Sequence, residues 1–218
     1  MDKLTDSLPY VLRHFDVAYI GVCVPQIWIY CIAHRTDGAL SEVALGVPLY
    51  LALSAFMLAV VLLAWKGRVT RCPAGLDGPL AVAQGAASVA LAAPAVLGPA
   101  AGIPWVAPLC AVAAGAGVAW LYLRWAPFFA SLDVRDAVAC VFCAMAVGSA
   151  LKVPIDLLPP VPAAAVLALL PAASALLVRR ADRRPVPCER VPRLFHEQNP
   201  TAIPWRILAG VAVYSLVI

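Results

Sequence analysis

Charged residues are scarce in this sequence, and long parts of the chain contain none. Asp, Glu, Lys and Arg make up 13% of its 218 residues, whereas soluble domains hold about 25%. Hydrophobic residues account for 63%, against about 45–50% in soluble domains. Because a water-soluble globule needs a polar exterior that so few charges cannot supply, the composition excludes an ordinary soluble fold.

Motifs that mark the common catalytic and nucleotide-binding sites are also missing. The sequence contains no HExxH, GxSxG, Walker or GxGxxG pattern, and no His/Cys cluster with metal-ligand spacing. Its seven cysteines lie mostly inside apolar runs, where packing residues are expected rather than disulfides. Cys140 and Cys143 have CxxC spacing, but no His lies near them. We therefore predict a protein that is not an enzyme and holds no metal or cofactor.

Apolar runs long enough to cross a bilayer take the place of those motifs. A hydrocarbon core about 30 Å thick needs about 20 helical residues. The uncharged run from Gly78 to Leu123 is too long for one helix, and the Gly- and Pro-rich stretch 98–105 is predicted to divide it. Pro25, near the middle of the first run, predicts a kink. The predicted spans are 17–33, 43–65, 80–97, 106–123, 137–151 and 157–178.

The predicted fold is an all-α, polytopic membrane helix bundle with six full spans and an incomplete seventh. Residues 1–16 form its cytoplasmic N-terminus, 17–178 the membrane domain, 179–203 a cytoplasmic basic linker and 204–218 the start of the seventh helix. The apolar run after Arg206 reaches only about 18 Å as a helix, which is too short to span the core. We expect a truncated piece of a longer protein, poorly stable on its own in detergent.

Basic residues lie almost entirely on one side of this predicted bundle. Of the 16 Lys and Arg, all but Arg35 and Lys152 fall in the N-terminus, the loops at 66–71 and 124–135, or the region after residue 178. Because positively charged loops stay in the cytoplasm, we predict a multi-pass membrane protein with a cytoplasmic N-terminus and the lipid bilayer as partner. The predicted cytoplasmic anchors are Lys66, Arg68, Arg71, Arg179, Arg180, Arg183 and Arg184.

Few polar side chains lie within the predicted spans, and each is a candidate for a cavity or a gate. Gln84 and Ser88 are one helical turn apart on the third span, where they line a polar cavity or make an interhelical hydrogen bond. Lys152 and Asp156 flank the outer end of the fifth span, either as a gate or ligand contact or as an ion pair in water. Pro154 between them disfavours an ideal helical pair.

Two segments on the predicted cytoplasmic side carry separate predictions. The segment 124–136 is amphipathic and contains turn residues, so we expect it at the membrane interface. Trp125, Phe128 and Phe129 would then lie in the headgroup region. Asp77, in the loop before the third span, is predicted to be a turn or helix-capping residue.

Small residues recur at helical spacing in two spans, where they let backbones approach closely. We predict that these faces pack against other helices of the same chain, and packing between two copies in a homo-oligomer is the alternative. The faces comprise Ala111, Gly115 and Ala119, then Ala113 and Gly117, and finally Cys140, Ala144 and Gly148.

Three short patterns of residues are more specific than the apolar runs. They are Arg124-Trp125 with Phe128-Phe129, Ser131-Leu132, Arg135 and Ala137; Leu169-Leu170-Pro171 with Ser174; and Pro204-Trp205-Arg206. Together they resemble a group of bacterial LuxR-type regulators whose N-terminal half is embedded in the membrane. The resemblance implies a transporter-like bundle of twelve spans joined to a C-terminal helix-turn-helix that binds DNA. This sequence would then hold one six-span half, and DNA would be bound only by a domain absent from it. The resemblance also implies that the membrane is the inner membrane of a bacterium.

Two functions fit these observations best, and a structural or assembly membrane protein is a third alternative. The first is the membrane-embedded sensory half of a membrane-anchored transcription regulator, in which an unidentified small ligand favours one of two helix packings. The second is the N-terminal half of a secondary, major-facilitator-like transporter with substrate at the membrane midplane. The loop 66–71 is basic but lacks the glycine–acid–arginine pattern of typical major facilitators.

Overall fold

The computed structural model describes residues 16–36, 42–66, 73–97, 105–130 and 134–183, and nothing but helices and their connections occurs within these ranges. Short 3-10 helices at Val17–Val22 and Ala74–Leu76 precede the first and third α-helices. The α-helices are α1 (Val24–Thr36), α2 (Glu42–Trp65), α3 (Asp77–Leu97), α4 (Val106–Ala130), α5 (Val134–Leu157) and α6 (Pro160–Asp182).

Within the described residues, five helical segments are long and apolar enough to cross a membrane. A sixth, shorter apolar stretch joins the first 3-10 helix to α1 at Val17–Ile32. The prediction of an all-helical membrane bundle is therefore confirmed for the described residues. The predicted seventh helix and nearly all of the basic linker lie outside the described residues. The five segments are Gly46–Leu63, Ala74–Pro94, Val106–Phe129, Asp136–Leu157 and Pro160–Asp182.

The first predicted span consists of two helical pieces rather than one kinked helix. The 3-10 helix ends at Val22, and α1 begins at Val24 after a turn at Cys23. Pro25 is therefore the second residue of α1, where a backbone N–H has no helical acceptor and its absence costs little. The predicted mid-span kink at Pro25 is wrong for this reason.

The connection between the fifth and sixth spans is much tighter than predicted. Helix α5 continues through Pro154 to Leu157, and α6 begins at Pro160. Only two residues separate the helices, although the sequence placed the end of the fifth span at Leu151. Pro160 stands in the first turn of α6, where proline is favoured, whereas Pro154 removes one backbone bond that the apolar helix tolerates.

Helix α4 runs through the middle of the bundle. It packs along α2 on one side and along α3 on the other, while α3 also packs against α6. Helix α1 contacts α3, α5 and α6, and α5 lies at the periphery. A Cβ added at Gly115 would stand 2.5 Å from the Leu49 carbonyl oxygen, so only glycine allows α4 to approach α2 this closely.

The predicted small-residue faces lie inside this bundle. Ala111 and Ala119 are fully buried, on the same face of α4 as Gly115. Gly148 of α5 lies against Ile27 and Cys23 at the start of α1. The prediction that these faces pack within one chain is confirmed for the described residues.

Candidate functional site

Charged side chains gather at one end of the bundle, where α3 begins and α4 and α6 end. Asp77, the first residue of α3, is only 1% exposed. Its Oδ1 accepts hydrogen bonds from Trp120 Nε1 at 2.9 Å and Arg124 Nε at 3.0 Å, and its Oδ2 accepts one from Arg179 Nε at 3.1 Å. One carboxylate thus joins three helices.

Further ion pairs extend this arrangement to the start of the described chain. Arg124 Nη2 donates to Asp182 Oδ2 at 2.7 Å, which links α4 to the last residue of α6. Arg180 Nε lies 3.4 Å from Asp16 Oδ1, which caps the 3-10 helix before α1 by accepting from the Ala18 N–H. Because three acids meet three arginines, the group carries no net charge and tolerates partial burial. We name this group the Asp77 cluster: Asp16, Asp77, Arg124, Arg179, Arg180 and Asp182.

Sequence reasoning missed this cluster. Asp77 does stand at a helix start, as predicted, but its carboxylate serves as a buried partner for two guanidinium groups. The sequence did contain a signal for this cluster. Asp77, Arg124 and Arg179 all lie at predicted cytoplasmic ends of spans, and the charge of Asp77 is opposite to that of the two arginines. Nothing in the spacing said that the side chains would meet.

The prediction that Trp125 and Phe128 lie in the headgroups is wrong, whereas Phe129 is only partly buried. Helix α4 continues without a break to Ala130, and Trp125 is 1% exposed. Trp125 Nε1 donates to Ser174 Oγ at 3.2 Å, and Ser174 Oγ donates to the Gly21 carbonyl at 2.9 Å. A Cβ at Gly21 would stand 2.5 Å from the Trp125 ring, so glycine makes room for the indole.

The phenylalanines after Trp125 continue this interior layer. Phe128 is buried and meets the Trp125 ring edge-on, with centroids 5.7 Å apart. On its other side Phe128 packs against Tyr19, with centroids 4.9 Å apart. This aromatic layer joins α4, α6 and the first 3-10 helix next to the Asp77 cluster, so the bundle end is held by packing as well as by charge.

Gln84 and Ser88 lie on the same buried stripe of α3 as Asp77, two and three turns further along. Ser88 Oγ accepts a hydrogen bond from Trp28 Nε1 at 2.7 Å and donates to the Gln84 carbonyl at 2.8 Å, so it joins α3 to α1. The Gln84 amide faces Gly117 of α4. Neither its Oε1 nor its Nε2 has a hydrogen-bond partner among the residues that the structure describes.

Lys152 and Asp156 form an ion pair within one turn of α5, with their carboxylate and ammonium in direct contact. The expectation that Pro154 would prevent a helical pair is wrong, because α5 stays helical through that residue. Both residues of this pair belong to α5. The structure does not bring it together with Gln84 and Ser88.

The predicted cytoplasmic anchors divide into three groups. Arg179 and Arg180 belong to α6 and to the Asp77 cluster. Lys66 and Arg183 are exposed, just after the ends of α2 and α6. The remaining anchors, Arg68, Arg71 and Arg184, lie outside the described residues.

Among the described residues no group of three or more His, Cys, Asp or Glu side chains could hold a metal ion. The chain matches no family model, no curated protein and no solved structure. The Asp77 cluster ties α3, α4 and α6 to one another through Asp77, Arg124 and Arg179.

Proposed function

We propose that the chain is the sensory membrane half of a membrane-anchored transcription regulator. The observation that carries this proposal is the buried Asp77 carboxylate, which binds Arg124 of α4 and Arg179 of α6 at once. A small ligand in the bundle would favour one of two helix packings, and the Asp77 cluster would pass the change to the chain after α6. DNA would be bound by a domain outside this sequence.

The energetics of buried charge support such a role. An unpaired charge at a buried site costs several kcal/mol, so a carboxylate–guanidinium contact is either fully made or fully exchanged for another partner. Asp77 and Arg124 are both buried, and α6 contributes Arg179 and Asp182 to the same cluster. A shift of α3 or α4 would therefore move the end of α6 with it.

We further propose that the Asp77 cluster faces the cytoplasm of a bacterium, with the protein in the inner membrane. The structure gathers at one end the 3-10 helix before α1, the start of α3 and the ends of α4 and α6. Those are the ends at which the sequence places nearly all Lys and Arg, which supports a cytoplasmic location. An output domain that binds DNA would have to be on that side.

An Arg179→Gln substitution in the full-length protein tests the proposal. It removes the direct bond between α6 and Asp77, yet Arg179 is 44% exposed, so the loss of stability should be small. We expect the levels of the transcripts that the protein controls to stay the same under all growth conditions. Arg183→Gln is the matched control, since it removes one positive charge from the same end of α6 outside the cluster. A wild-type transcript response in Arg179→Gln, at wild-type membrane levels, would contradict the proposal.

One observation favours the transporter alternative. The Gln84 amide is fully buried and both its polar atoms lack partners within the described residues, as expected of a group that meets a polar substrate in another conformation. Vesicles holding the full-length protein separate the two functions. Robust flux of a solute across such vesicles would support transport and count against a pure sensor.

A further inference from the structure

The first span is broken at Cys23, and the break is built into the sequence. In a continuous α-helix the Gly21 carbonyl would accept a hydrogen bond from the N–H of the residue four positions later. That residue is Pro25, which has no N–H, so the bond cannot form. The Ser174 hydroxyl of α6 donates to the Gly21 carbonyl instead, at 2.9 Å. A side chain of α6 thus replaces a backbone bond of the first span.

The 3-10 helix before the break is bound to α6 at both of its ends. Asp16, which caps this helix, pairs with Arg180 of α6. At the other end, a Cβ added on Gly21 would stand 2.7 Å from the Leu177 Cβ, so the two helices are in close contact there. Together with the bond from Ser174, these contacts fasten the first piece of the span to α6.

Helix α1, the piece after the break, is hydrogen-bonded to α3 and α4. Trp28 Nε1 donates to Ser88 Oγ of α3 at 2.7 Å. The Tyr122 hydroxyl of α4 donates to Gln26 Oε1 at 2.8 Å. Because the two pieces are bound to different helices, a movement of the end of α6 relative to α3 and α4 would be absorbed at Cys23.

Helix α6 has a weak point of its own close to this break. Pro171 lies one turn before Ser174 and cannot donate to the Leu167 carbonyl, so α6 lacks one backbone bond there. On the other side of Pro171, a Cβ added on Gly85 of α3 would stand 2.7 Å from the Ala168 carbonyl oxygen. This close contact holds the first part of α6 on α3, so a bend at Pro171 would move only the part after it.

We propose that Cys23 and Pro171 form a hinge about which residues 16–22 and 172–182 tilt together. We name these two stretches the hinged unit. In the present structure the ion pairs of the Asp77 cluster hold this unit against α3 and α4. Exchange of those pairs frees the unit and moves the end of α6 to a new position. This inference rests on the proposed sensory function and names the part of the protein that moves.

A tilt displaces residues in proportion to their distance from the hinge. Ser174 lies next to the hinge, so its hydrogen bond from Trp125 of α4 is disturbed little. At about 1.5 Å per residue, Asp182 lies about 16 Å from Pro171, so a tilt of about 10° moves it about 3 Å. That displacement is enough to separate Asp182 from Arg124, whose side chains are 2.7 Å apart here.

A compensating substitution tests the replaced backbone bond. In the full-length protein, Ser174→Ala removes the donor to the Gly21 carbonyl, and Pro25→Ala returns a backbone N–H in its place. We expect the increase in the unfolding equilibrium constant caused by Ser174→Ala to be about fivefold smaller with Pro25→Ala present, the effect of one hydrogen bond. The lost bond from the Trp125 indole cancels in this comparison, because it is absent in both backgrounds.

Ser88→Ala is the matched control for this comparison. Ser88 also accepts from an indole N–H and donates to a backbone carbonyl, but it lies on α3 away from the break. Its effect on unfolding should be the same with and without Pro25→Ala. Equal effects of Ser174→Ala in the two backgrounds would overturn the claim that Ser174 replaces the missing backbone bond.

Distances from electron paramagnetic resonance, measured on the full-length protein in lipid nanodiscs, test the tilt. Spin labels are attached to p-acetylphenylalanine, so the native cysteines can stay. One pair joins Val17 to Leu176 within the hinged unit, and the other joins Val17 to Val89 of α3; all three residues are exposed. Arg179→Gln with Asp182→Asn removes the ion pairs that these residues make with α3 and α4.

The two distances should respond differently in this double variant. At about 2.0 Å per residue of 3-10 helix, Val17 lies about 12 Å from Cys23, so a tilt of about 10° changes its distance to Val89 by about 2 Å. The distance from Val17 to Leu176 should stay the same. Adding Pro25→Ala, which allows a backbone bond across the break, should reduce the change.

Two results would overturn the hinge. An unchanged distance from Val17 to Val89 in the double variant would show that the hinged unit does not tilt. Equal changes in both distances would show that the 3-10 helix does not move together with α6. Either failure leaves the transcript result for Arg179→Gln untouched, so the hinge and the sensory function fail separately.

Discussion

Replacing Asp77 by Asn removes one negative charge from a buried site that holds two guanidinium groups. Breaking a buried ion pair by removing one partner costs about 3–5 kcal/mol, because the other charge stays buried. Arg124 keeps its bond to Asp182, which places the loss at the lower end of that range. Arg179 is 44% exposed and can turn toward water, so the loss of its bond to Asp77 costs at most about 1 kcal/mol. We expect Asp77→Asn to lower the free energy of unfolding by about 3 kcal/mol.

Unfolding by dodecyl sulfate in mixed micelles, followed by tryptophan fluorescence, measures this loss. Asp182→Asn is the matched control, because it removes a carboxylate that is 46% exposed and pairs with the same arginine. Its expected cost is at most about 1 kcal/mol. The double variant Asp77→Asn/Arg124→Gln should be less destabilised than the two single losses sum to, because the charges left without these partners, Arg179 and Asp182, are 44% and 46% exposed and no buried charge stays unpaired. Equal costs for Asp77→Asn and Asp182→Asn would refute the idea that Asp77 is the central partner.

Two further predictions concern packing and buried polar groups, and the same unfolding assay measures both. Gly115→Ala should destabilise the bundle by about 2 kcal/mol, because its Cβ meets backbone atoms of α2 that cannot move aside. Gly46→Ala is the control and should be neutral, since the space around Gly46 is open. Similar losses of stability in the two variants would contradict the close approach of α4 to α2. Gln84→Met should be neutral or stabilising by about 1 kcal/mol, because it removes a buried amide that has no hydrogen-bond partner within the described part of the chain. Ser88→Ala should cost about 1–3 kcal/mol by leaving the Trp28 indole N–H without its acceptor, and a larger loss in Gln84→Met than in Ser88→Ala would be contrary to this structure.

Composition was enough to predict the helical membrane bundle, because the properties of a span are averages over about 20 residues. The close approach of α4 to other helices was also predictable from Gly115 and its small neighbours, since helical spacing puts them on one face. Both predictions concern single helices. They need no knowledge of which helices become neighbours.

The wrong predictions, in contrast, depend on more than one helix or on where a helix begins and ends. Trp125 looks like an interfacial aromatic because Arg124 precedes it, and only the neighbouring Gly21 and Ser174 show that the indole is interior. Proline rules placed a kink at Pro25 and a disturbed pair around Pro154, because they do not say where a helix begins or how far it continues. Avoiding these errors would have required knowledge of tertiary neighbours or of helix ends.

The Asp77 cluster was beyond sequence reasoning for the same reason. Asp77 finds Arg124 and Arg179 through the packing of α3 against α4 and α6, and no local spacing encodes that meeting. Positive residues on one side of the predicted topology pointed to the correct end of the bundle, although not to the contacts there.

Labelling of sealed spheroplasts with a membrane-impermeant maleimide tests most directly whether the charged end of the bundle faces the cytoplasm. In the sequence, native Cys72 precedes α3, native Cys188 follows α6, and Gly38→Cys adds a thiol between α1 and α2. We expect the reagent to reach Gly38→Cys from outside, and to reach Cys72 and Cys188 only after the membrane is opened. Labelling of Cys188 but not of Gly38→Cys in sealed spheroplasts would contradict the orientation, and with it the route from the membrane bundle to a cytoplasmic output.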